Sequence, residues 1–594
     1  MPNRLVIVES PNKTAKIEEM YPDVKALATV GHICDLPTNP KEGIGIDPQT
    51  LAGQYELTKD SSRHTDGTRV VAKLKKYIAD HPGLEIYLGT DDDREGESIA
   101  AFAVKYLKLR QYKRMKFNAI TKEKIDEGFR TAGPIDWPAV ASREARRAID
   151  RIIGYTVSPL LGRIIKQRGV SAGRVQTAVE ALVIERERKI RNHKVQPYYT
   201  VEYDMGGWTA QWQVPATTAK RTGPRPNSEF DIDDSTPRCF DRAAAERAAG
   251  FRALQVVSCT DTMEDRLPPP PLHTVAMIQV ANRILGWAAD KTMQVAQKLF
   301  EGDGSGHGHI TYHRTDSPNI DPGPAEEIRA WLRAKNLPVP DKANRWANKN
   351  KQAQEGHEAI RPAYLDVEEA GATDEQRALY KIIRDRAIYS QLAPARYAVK
   401  RIGLVDPIKG DHSFSATART LVSPGWLSTP AANAPILQDD DEKKDEAPAV
   451  SLPTLTRNTV LNARGARVGD HTTKAPPRYT IRTLTAKLEK LSIGRPATIA
   501  TILKSMQTKG FVGKDGKLQA TPISERCYDV LYPRFAFAHV GYTAELEQAL
   551  DQIASQQLDG LALTRAVWDR INADCAALSQ GVGLAPAAPA AAPA

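Results

Sequence analysis

The sequence has 594 residues, of which 41% are hydrophobic and 26% are charged, and its formal net charge is +10. This length exceeds what one hydrophobic core usually organises, so three or four domains are expected. No apolar run approaches the roughly 18 residues of a membrane span, and the apolar run near the N-terminus is too short for a signal peptide. The positive charge favours a polyanionic partner such as nucleic acid.

The cysteines and the missing nucleotide motifs narrow the range of cofactors. Five cysteines lie far apart, and none belongs to a C-x-x-C pair. This spacing disfavours a zinc ribbon and a disulfide framework, so we expect no zinc and a reducing, cytoplasmic location. No Walker motif is present, and ATP hydrolysis is therefore not expected.

The first predicted element is a short buried parallel strand at residues 4–8. Glu9 follows it, and Lys13 lies in the next loop, VESPNK. If this strand neighbours a second one at residues 84–88, Glu9 faces the loop after that strand. Glu9 could then be a general acid or base with a raised pKa, and Lys13 could hold a phosphate oxygen. Taken alone, a strand-end glutamate and a solvated lysine explain the pair equally well.

An acidic loop, TDDDREGE at residues 90–97, follows the second predicted strand. The loop places four acids close to a fifth, Asp92: they are Asp91, Asp93, Glu95 and Glu97. Because like charges this close repel one another, a positive charge must offset them. A hard divalent cation with oxygen ligands, such as Mg²⁺, would supply it. The alternative is an acidic helix start that interacts with the helix dipole. Five acids directly after a buried strand favour the metal.

Residues 141–192 are predicted to be helical and strongly basic. Between positions 143 and 194 the sequence has 13 Lys or Arg and 5 Asp or Glu, an excess of 8. Within this region VSAGRVQT contains Gly173, which permits close backbone approach, and Arg174 and Gln176, which are typical phosphate and base contacts. The region therefore predicts a DNA-binding surface.

Alternating patterns at residues 198–214 predict strands, and similar strands are expected at 396–405 and 412–422. Helical segments between them, from His273 to about Leu392, make the β region a split one. The helical insertion contains GHITYHRTDS, in which Tyr312 stands near Arg314. A tyrosine attacking phosphate needs nearby positive charge, and Arg314 could clamp the phosphate. Without other evidence, a core tyrosine would be the safer interpretation.

Two further segments offer candidate phosphate contacts. In EGHEAIRP, residues 355–362, the spacing of His357 and Arg361 predicts that both side chains share one helix face and address a phosphate. In IGRPAT, residues 493–498, Arg495 and Thr498 could bind a backbone phosphate at a helix start. The helix–turn–helix pattern around IGRPAT suggests DNA binding. The Ala/Pro-rich C-terminus is predicted to be disordered and dispensable.

Taken together, these segments resemble the type IA DNA topoisomerase family. VESPNKTAKI, VGHICDLP, TDDDREGE, ARRAIDRIIGY, VSAGRVQT, ITYHRTDS, EGHEAIRP and the IGRPAT region occur in the family's order over roughly residues 4–575. The resemblance implies a multidomain toroid of α/β, α and β parts, with an N-terminal toprim domain and a split β arch. It implies an ATP-independent, Mg²⁺-dependent enzyme that relaxes negatively supercoiled DNA and decatenates, acting as a monomer on single-stranded DNA.

The resemblance also assigns roles to residues. Tyr312 is the nucleophile that forms a 5′-phosphotyrosine. Arg314 stabilises it, Glu9 is the acid or base, and Lys13 holds the transition state. His357 completes the implied catalytic group. The implied metal ligands are Glu9, Asp91, Asp93 and Glu95. The implied DNA contacts are His32, Arg168, Arg174, Gln176, Arg361, Arg495 and Thr498.

The expected domains follow from the same comparison of segments. They are a toprim domain at 1–135 with an excursion at about 35–62, helical parts at 136–195 and 476–578, β-arch parts at 196–270 and 393–475, a helical domain with Tyr312 at 271–392, and a tail at 579–594. The sequence leaves the topoisomerase I and III branches open. A toprim nuclease or primase would share the acidic loop without needing Tyr312. A non-enzymatic DNA-binding protein would not need the carboxylates, which repel DNA unless a metal intervenes.

Overall fold

The computed structural model describes residues 2–37, 43–59, 66–215, 237–302, 306–348, 357–429, 434–437, 451–513 and 515–581. The predicted disordered C-terminus lies outside them from residue 582 onward, and so do Glu355 and Gly356. None of the described helices is long and apolar enough to cross a membrane.

The N-terminal unit is an α/β sandwich around a parallel sheet. Its strands are β1 (Arg4–Val8), β2 (Val24–Ala28), β3 (Cys34–Asp35), β4 (Glu56–Leu57), β5 (Glu85–Leu88) and β6 (Lys113–Arg114). Its helices are α1 (Pro11–Met20), α2 (Gly67–Asp80), α3 (Arg94–Leu107) and α4 (Lys122–Arg130). The sheet order is β2-β1-β5-β6, while β3 and β4 form a separate pair within the predicted excursion.

The two strands expected to be neighbours do pair with each other. β1 lies parallel to β5, with Ile7 opposite Leu88, and residues 5–8 of β1 are fully buried. Burial on both faces explains the unbroken apolar run of this strand. The carboxyl ends of both strands meet at one edge of the sheet, which is where open α/β sheets place their sites. The expectation that Glu9 faces the acidic loop is therefore confirmed.

Two long helices follow, α5 (Trp137–Ile165) and α6 (Arg174–Arg191), as the helical pattern of residues 141–192 predicts. The chain then enters a seven-stranded antiparallel sheet. Its strands are β7 (Pro197–Asp204), β8 (Thr209–Gln213), β9 (Ala253–Arg266), β10 (Ala395–Val405), β11 (Ser413–Ser423), β12 (Val460–Asn462) and β13 (Gly465–Thr472). Helix α7 (Arg242–Ala248) lies between β8 and β9 in the chain. The order β12-β9-β10-β11-β8-β7-β13 combines two distant chain segments, so the predicted split β region is confirmed.

The segment between β9 and β10 is a helical insertion with α8 (Thr274–Leu285), α9 (Ala289–Glu301), α10 (Pro322–Ala334) and α11 (Asp374–Tyr389). The insertion shares one hydrophobic core with the N-terminal unit, where Val6 and Ile17 belong to the same cluster as Leu299 and Ile310. The contact places Tyr312 against the carboxyl edge of the parallel sheet.

One helix predicted in this insertion is wrong. His357, Glu358 and Ala359 have no regular structure, and the neighbouring Ile360 and Pro362 form isolated bridges to Leu272 and Ile310. The physical reason is Pro362, because a proline disfavours helical backbone in the residue before it. His357 and Arg361 therefore do not share a helix face.

The C-terminal helices are α12 (Ile481–Lys490), α13 (Ile499–Thr508), α14 (Pro522–Leu531), α15 (Val540–Ala554) and α16 (Gly560–Gly581). α15 and α16 pack on α5, and their shared core includes Ile149, Ile152, Leu550 and Ile571. α12, a turn and α13 form the predicted helix–turn–helix. The predicted start of the tail at residue 579 is too early. Helix α16 continues to Gly581 and buries Leu578 and Ser579.

Candidate active site

The acidic loop is a tight turn between β5 and α3. Asp93 caps α3, since its Oδ1 accepts a hydrogen bond from the Gly96 backbone N–H at 2.7 Å. A Cβ on Gly96 would lie 2.0 Å from the carbonyl oxygen of Asp91, so glycine is required for this close approach. The turn directs the side chains of Asp91 and Asp93 toward the insertion that carries Tyr312.

Glu9, Lys13 and Asp91 form a buried charged group at the sheet edge. Lys13 is fully buried, forms an ion pair with Glu9, and donates to Asp91 Oδ1 at 2.5 Å. Glu9 Oε2 accepts a hydrogen bond from the Asp91 backbone N–H at 3.0 Å. Burial, opposed by Lys13 and reinforced by the Asp91 charge, raises the pKa of Glu9 to about 7. Glu9 is thus able to exchange a proton near neutral pH.

Tyr312 lies at the same edge and is 2% exposed. Its backbone N–H donates to the Asn118 carbonyl at 2.7 Å, and its hydroxyl donates to Asp93 Oδ2 at 2.6 Å. Burial and the charges of Asp93 and Asp91 raise the pKa of the Tyr312 hydroxyl well above its usual value. The phenol is therefore protonated, and Asp93 is the carboxylate in contact with its proton.

Arg314 supplies positive charge beside the tyrosine. Its Nη1 lies 3.7 Å from Asp91 Oδ2 and 3.8 Å from Asp93 Oδ2. Burial alone would lower the pKa of this guanidinium, but Tyr312, Asp91 and Asp93 raise it above its usual value. Arg314 therefore keeps its charge beside the tyrosine hydroxyl.

A chain of hydrogen bonds continues from Arg314 back to the N-terminal unit. Arg314 Nη2 donates to Gln297 Oε1 at 3.2 Å, and Gln297 Nε2 donates to Glu301 Oε1 at 3.0 Å. Asn12 on α1 donates to Glu301 Oε2 at 2.6 Å. The arginine orientation is thus linked to the contact between α1 and α9.

The two predicted residues of EGHEAIRP occupy different positions. The His357 ring lies 5.3 Å from the Tyr312 ring, centroid to centroid, and so belongs to the site. Arg361 is largely buried, and its Nε donates to Glu358 Oε2 at 2.9 Å. Arg361 therefore contacts Glu358 in its own loop.

His32 and Glu95 form a second group on the opposite side of the acidic loop. Glu95 contacts His32 Nε2, and Arg143 Nε and Nη2 donate to its two oxygens at 3.1 and 3.0 Å. Burial alone would raise the pKa of Glu95, but His32 and Arg143 lower it below its usual range. Glu95 is thus oriented toward His32 and Arg143.

The predicted metal ligands are therefore only partly brought together. Across the described part of the chain, no three His, Cys, Asp or Glu side chains form a group that could hold a metal ion. Asp91 and Asp93 do converge, because both face the same nitrogen of Arg314. Their oxygens are the hard ligands that Mg²⁺ prefers, whereas Glu95 is engaged by His32 and Arg143.

The predicted DNA contacts divide into exposed and buried residues. Arg168 is exposed in the loop after α5, and Gln176 is half-buried and donates to Glu180 Oε1 at 3.0 Å. Arg174 and Arg495 are instead 2% and 9% exposed and are held by carboxylates. Thr498 Oγ1 accepts a hydrogen bond from the Arg495 backbone N–H at 3.1 Å.

Sequence reasoning did not identify several residues that organise this site. Gln297 had no distinguishing signal, because a glutamine in a helix is usually solvated, whereas Glu301 belongs to FEG, a segment shared with the family, without an assigned role. Glu547, which holds both Arg174 and Arg495, and Asp551, which holds Arg495, lie on α15, which carries no motif. Burial of Glu547 in a polar helix could have been suggested by its place between Leu546 and Leu550, both buried.

Comparison with known proteins decides the family of this fold and site. The family model described as DNA topoisomerase matches residues 134–564, and the Toprim domain model matches residues 4–120. The chain belongs to the type IA DNA topoisomerase family. It is an isomerase that acts on DNA, its N-terminal unit is a Toprim domain, and the predicted fold class is confirmed.

Individual relatives agree with this assignment. The protein named "DNA topoisomerase I, plasmid" of Xylella fastidiosa strain 9a5c is 37% identical over 586 residues, which cover 97% of this chain and 84% of the relative. "DNA topoisomerase 1" of the same strain is 33% identical, covering 96% of this chain and 69% of the relative. The structure of full-length topoisomerase I from Thermotoga maritima matches with a TM-score of 0.70 and 26% identity, over 96% of this chain and 90% of that one.

Proposed function

We propose that this topoisomerase cleaves one DNA strand through Tyr312, passes DNA through the break, and reseals it without ATP. The observation that carries the proposal is the convergence of the Tyr312 hydroxyl, the Asp93 carboxylate and the Arg314 guanidinium at one buried edge. A nucleophile, a proton acceptor and a phosphate-binding cation are what attack on a phosphodiester requires. We infer relaxation of negatively supercoiled DNA as the outcome, with decatenation as a second activity.

The proposed cleavage step conserves the number of phosphoester bonds. The Tyr312 oxygen forms a bond to phosphorus, its proton passes to Asp93, and the bond from phosphorus to the 3′ oxygen breaks. Glu9, whose pKa is raised to about 7, donates a proton to that leaving 3′ oxygen. The product is a 5′-phosphotyrosine and a free 3′ hydroxyl, and the reverse step reseals the strand.

Positively charged neighbours would stabilise the transition state. Arg314 offers a planar donor set for the phosphate oxygens. Lys13 is held by Glu9 and Asp91, so it keeps both carboxylates in place and adds charge at the sheet edge. The His357 ring beside Tyr312 is close enough to contact the same phosphate.

We further propose Mg²⁺ as the cofactor, held by Asp91 and Asp93. These oxygens fit the ion chemically and already face one cationic group. When bound, the ion would supply positive charge to the phosphate backbone near the break. Of the other two ligands that the sequence suggested, Glu95 is engaged by His32 and Arg143, and Glu9 is assigned to proton transfer instead.

The remaining assignments are also proposals. They are a single-stranded DNA substrate, a monomeric enzyme, a cytoplasmic location at the bacterial nucleoid, and the domain boundaries predicted from the sequence. His32, Arg168, Gln176, Arg361 and Thr498 are proposed as DNA contacts, together with Arg174 and Arg495.

The test is Tyr312→Phe, with Tyr364→Phe as the matched control elsewhere in the insertion. Phenylalanine keeps the buried ring and removes only the attacking oxygen, so folding and DNA binding should persist. Single-stranded DNA labelled at either end is incubated with each protein and then denatured. We expect a covalent adduct on the 5′ phosphate with the wild type and the control, and none with Tyr312→Phe.

Three results would overturn the proposal. An adduct formed by Tyr312→Phe would exclude this tyrosine as the nucleophile. A wild-type adduct on a 3′ phosphate would contradict the proposed polarity. Cleaved DNA with no adduct at all would indicate the nuclease alternative.

A further inference from the structure

A partly buried cluster of ion pairs joins α3, the helix that follows the acidic loop, to the C-terminal helices. We call it the arginine cluster and define it by ion pairs of 4.0 Å or less. Its four basic and three acidic members are Arg94, Arg146, Arg174, Arg495, Asp150, Glu547 and Asp551. The arginines come from α3, α5, α6 and the turn before α13, so the cluster connects elements far apart in the sequence.

Glu547 stands at the centre of the arginine cluster and is 1% exposed. Its Oε1 accepts from Arg174 Nη2 at 2.7 Å and lies 4.0 Å from Arg146 Nη2. Its Oε2 accepts from Arg495 Nε at 3.0 Å. One carboxylate thus orients guanidinium groups from three separate elements.

The position of Glu547 is itself fixed by packing. The hydroxyl of Ser142 on α5 donates to the Leu550 carbonyl of α15 at 2.7 Å, and Leu546 and Leu550 are buried in the core shared with α5. Burial alone would raise the pKa of Glu547, but Arg146, Arg174 and Arg495 lower it below its usual range. The residue therefore carries its charge in a rigid frame.

Arg174 keeps a donor that the carboxylates do not use. Arg174 Nε donates to Asp150 Oδ1 at 2.8 Å and Nη2 donates to Glu547, while its buried Nη1 has no hydrogen-bond partner among the described residues. A buried donor of this kind is costly unless a partner arrives. With four arginines against three carboxylates, the cluster suits an anion with several oxygen acceptors.

We propose that Glu547 is a positioning residue that aligns Arg174 and Arg495 to bind one backbone phosphate of a single DNA strand. The inference deepens the proposed function and rests on its assignment of these arginines to DNA. Without the carboxylate, three guanidiniums would repel one another and lose their common orientation. The acid contributes to DNA binding through the arginines although its own charge opposes DNA.

This role makes an unusual prediction, because removing a negative charge near DNA normally tightens binding. Glu547→Gln is compared with Glu545→Gln, an exposed glutamate two residues earlier on α15 that loses the same charge. Both are made in the Tyr312→Phe background, so that binding is measured without cleavage. The dissociation constant for a labelled single strand is measured by anisotropy across a salt series.

We expect Glu547→Gln to weaken binding about tenfold and to reduce the log–log salt slope by about 0.7, the value for one lost phosphate contact. Glu545→Gln should bind as tightly as its parent or more tightly. Glu547→Asp, which restores the charge on a shorter side chain, should recover part of the loss. Binding by Glu547→Gln that equals or exceeds that of Glu545→Gln would overturn the proposal.

A second variant tests the same role if Glu547→Gln does not fold. Asp551 accepts from Arg495 Nη2 at 3.0 Å and its side chain is 31% exposed, so Asp551→Asn removes one support of Arg495 in a less buried place. Circular dichroism checks folding, and binding should weaken about threefold; unchanged or tighter binding would contradict the proposal. The adduct test at Tyr312 is independent, so failure of the nucleophile and failure of this role give different results.

Discussion

The Tyr312 site and the arginine cluster are both charged and built between distant parts of the chain, but their charge balances differ. At the tyrosine, the three carboxylates of Glu9, Asp91 and Asp93 oppose the two cations Lys13 and Arg314. In the arginine cluster, four arginines oppose three carboxylates. The first arrangement suits an added cation when Glu9 is ionised, and the second suits an added anion.

The difference in charge balance between the two regions also appears in the pKa values of two glutamates, Glu9 and Glu547. Glu9 has one lysine beside it and a second carboxyl group, and burial with that neighbour raises its pKa to about 7. Glu547 is more deeply buried, with 1% of its side chain exposed against 12% for Glu9, but three arginines lower its pKa below the usual range. Burial alone therefore does not decide whether a carboxyl group serves as an acid or as a fixed anion. The number of cations in contact with it decides.

The largest expected effect tests the need for a cation at the Tyr312 site. Asp91→Asn together with Asp93→Asn removes both proposed Mg²⁺ ligands and the proposed acceptor of the Tyr312 proton, and relaxation of a supercoiled plasmid should fall by roughly 100-fold or more, about 2.7 kcal/mol. EDTA should abolish wild-type relaxation, and added Mg²⁺ should restore it. Full activity of the double variant in EDTA would refute the metal assignment.

Asp92→Asn is the matched control for this pair. Asp92 lies between the two proposed ligands in the sequence, but its carboxylate contacts Lys116 Nζ at 3.3 Å. Its loss should leave the magnesium requirement unchanged. An equal loss of activity in this control would mean that the whole loop, and not a particular pair of oxygens, is responsible.

An intermediate effect tests whether DNA follows the basic side of the molecule. Many of the basic residues between positions 143 and 194 are engaged in ion pairs, but Arg163, Lys166 and Arg168 are exposed and form none with the described residues. Replacing all three with alanine should lower the salt slope of single-strand binding by up to about 2, at 0.7 for each phosphate. Affinity at low salt should fall several-fold.

The control removes the same charge from another face. Lys73, Lys75 and Lys76 are exposed on α2 of the Toprim domain, and their triple alanine variant should bind with nearly the parent slope. If both triple variants lower the salt slope of single-strand binding by the same amount, binding reflects net charge alone. The surface at the end of α5 would then have no special role.

The smallest expected effect concerns Asp316, which faces Arg495, Asp551 and His357. Burial, opposed by Arg495, raises its pKa from 3.8 to about 6. Between these values the folded protein holds a proton that the unfolded chain releases, so the free energy of unfolding falls as pH rises through this window. Asp316→Asn has no carboxyl group at this position, so its free energy of unfolding does not fall for this reason. Its melting temperature relative to the wild type should rise by roughly 1 to 2 °C between about pH 5 and about pH 7.5.

Asp341→Asn, an exposed aspartate in the same insertion, serves as the reference. Its melting temperature relative to the wild type should not depend on pH over this range. A pH-independent difference for Asp316→Asn would show that this carboxyl group is already ionised at low pH and belongs in the negative count of the arginine cluster.

The sequence predicted what depends on local patterns. The buried run of β1, the acidic turn before α3 and the split sheet all follow from periodicity and from residue types with strong conformational preferences. The positions of Glu9, Asp91 and Tyr312 followed from strand ends and from an ordered set of motifs. These features need little information about distant contacts.

The rest depends on pairs that no local pattern reports. Tyr312 donates to Asp93 across 219 positions, and Arg174 donates to Glu547 across 373. Arginine in a glycine-containing motif has the same sequence signal whether it is exposed to DNA or buried by a carboxylate. The helix predicted for His357 and Arg361 was wrong because a spacing of four residues is compatible with a helix but does not require one, and Pro362 favours extended backbone.

The seven-stranded sheet has a consequence for how this protein could be assembled from parts. Ala395, the first residue of β10, pairs directly with Arg266, the last residue of β9, so the whole helical insertion leaves and returns at one point of the sheet. A short turn could join these two strands as an ordinary hairpin. The segment with Tyr312 is therefore a replaceable insert. Exchanging it between relatives, or expressing the sheet without it, should leave the pairing of β9 and β10 intact.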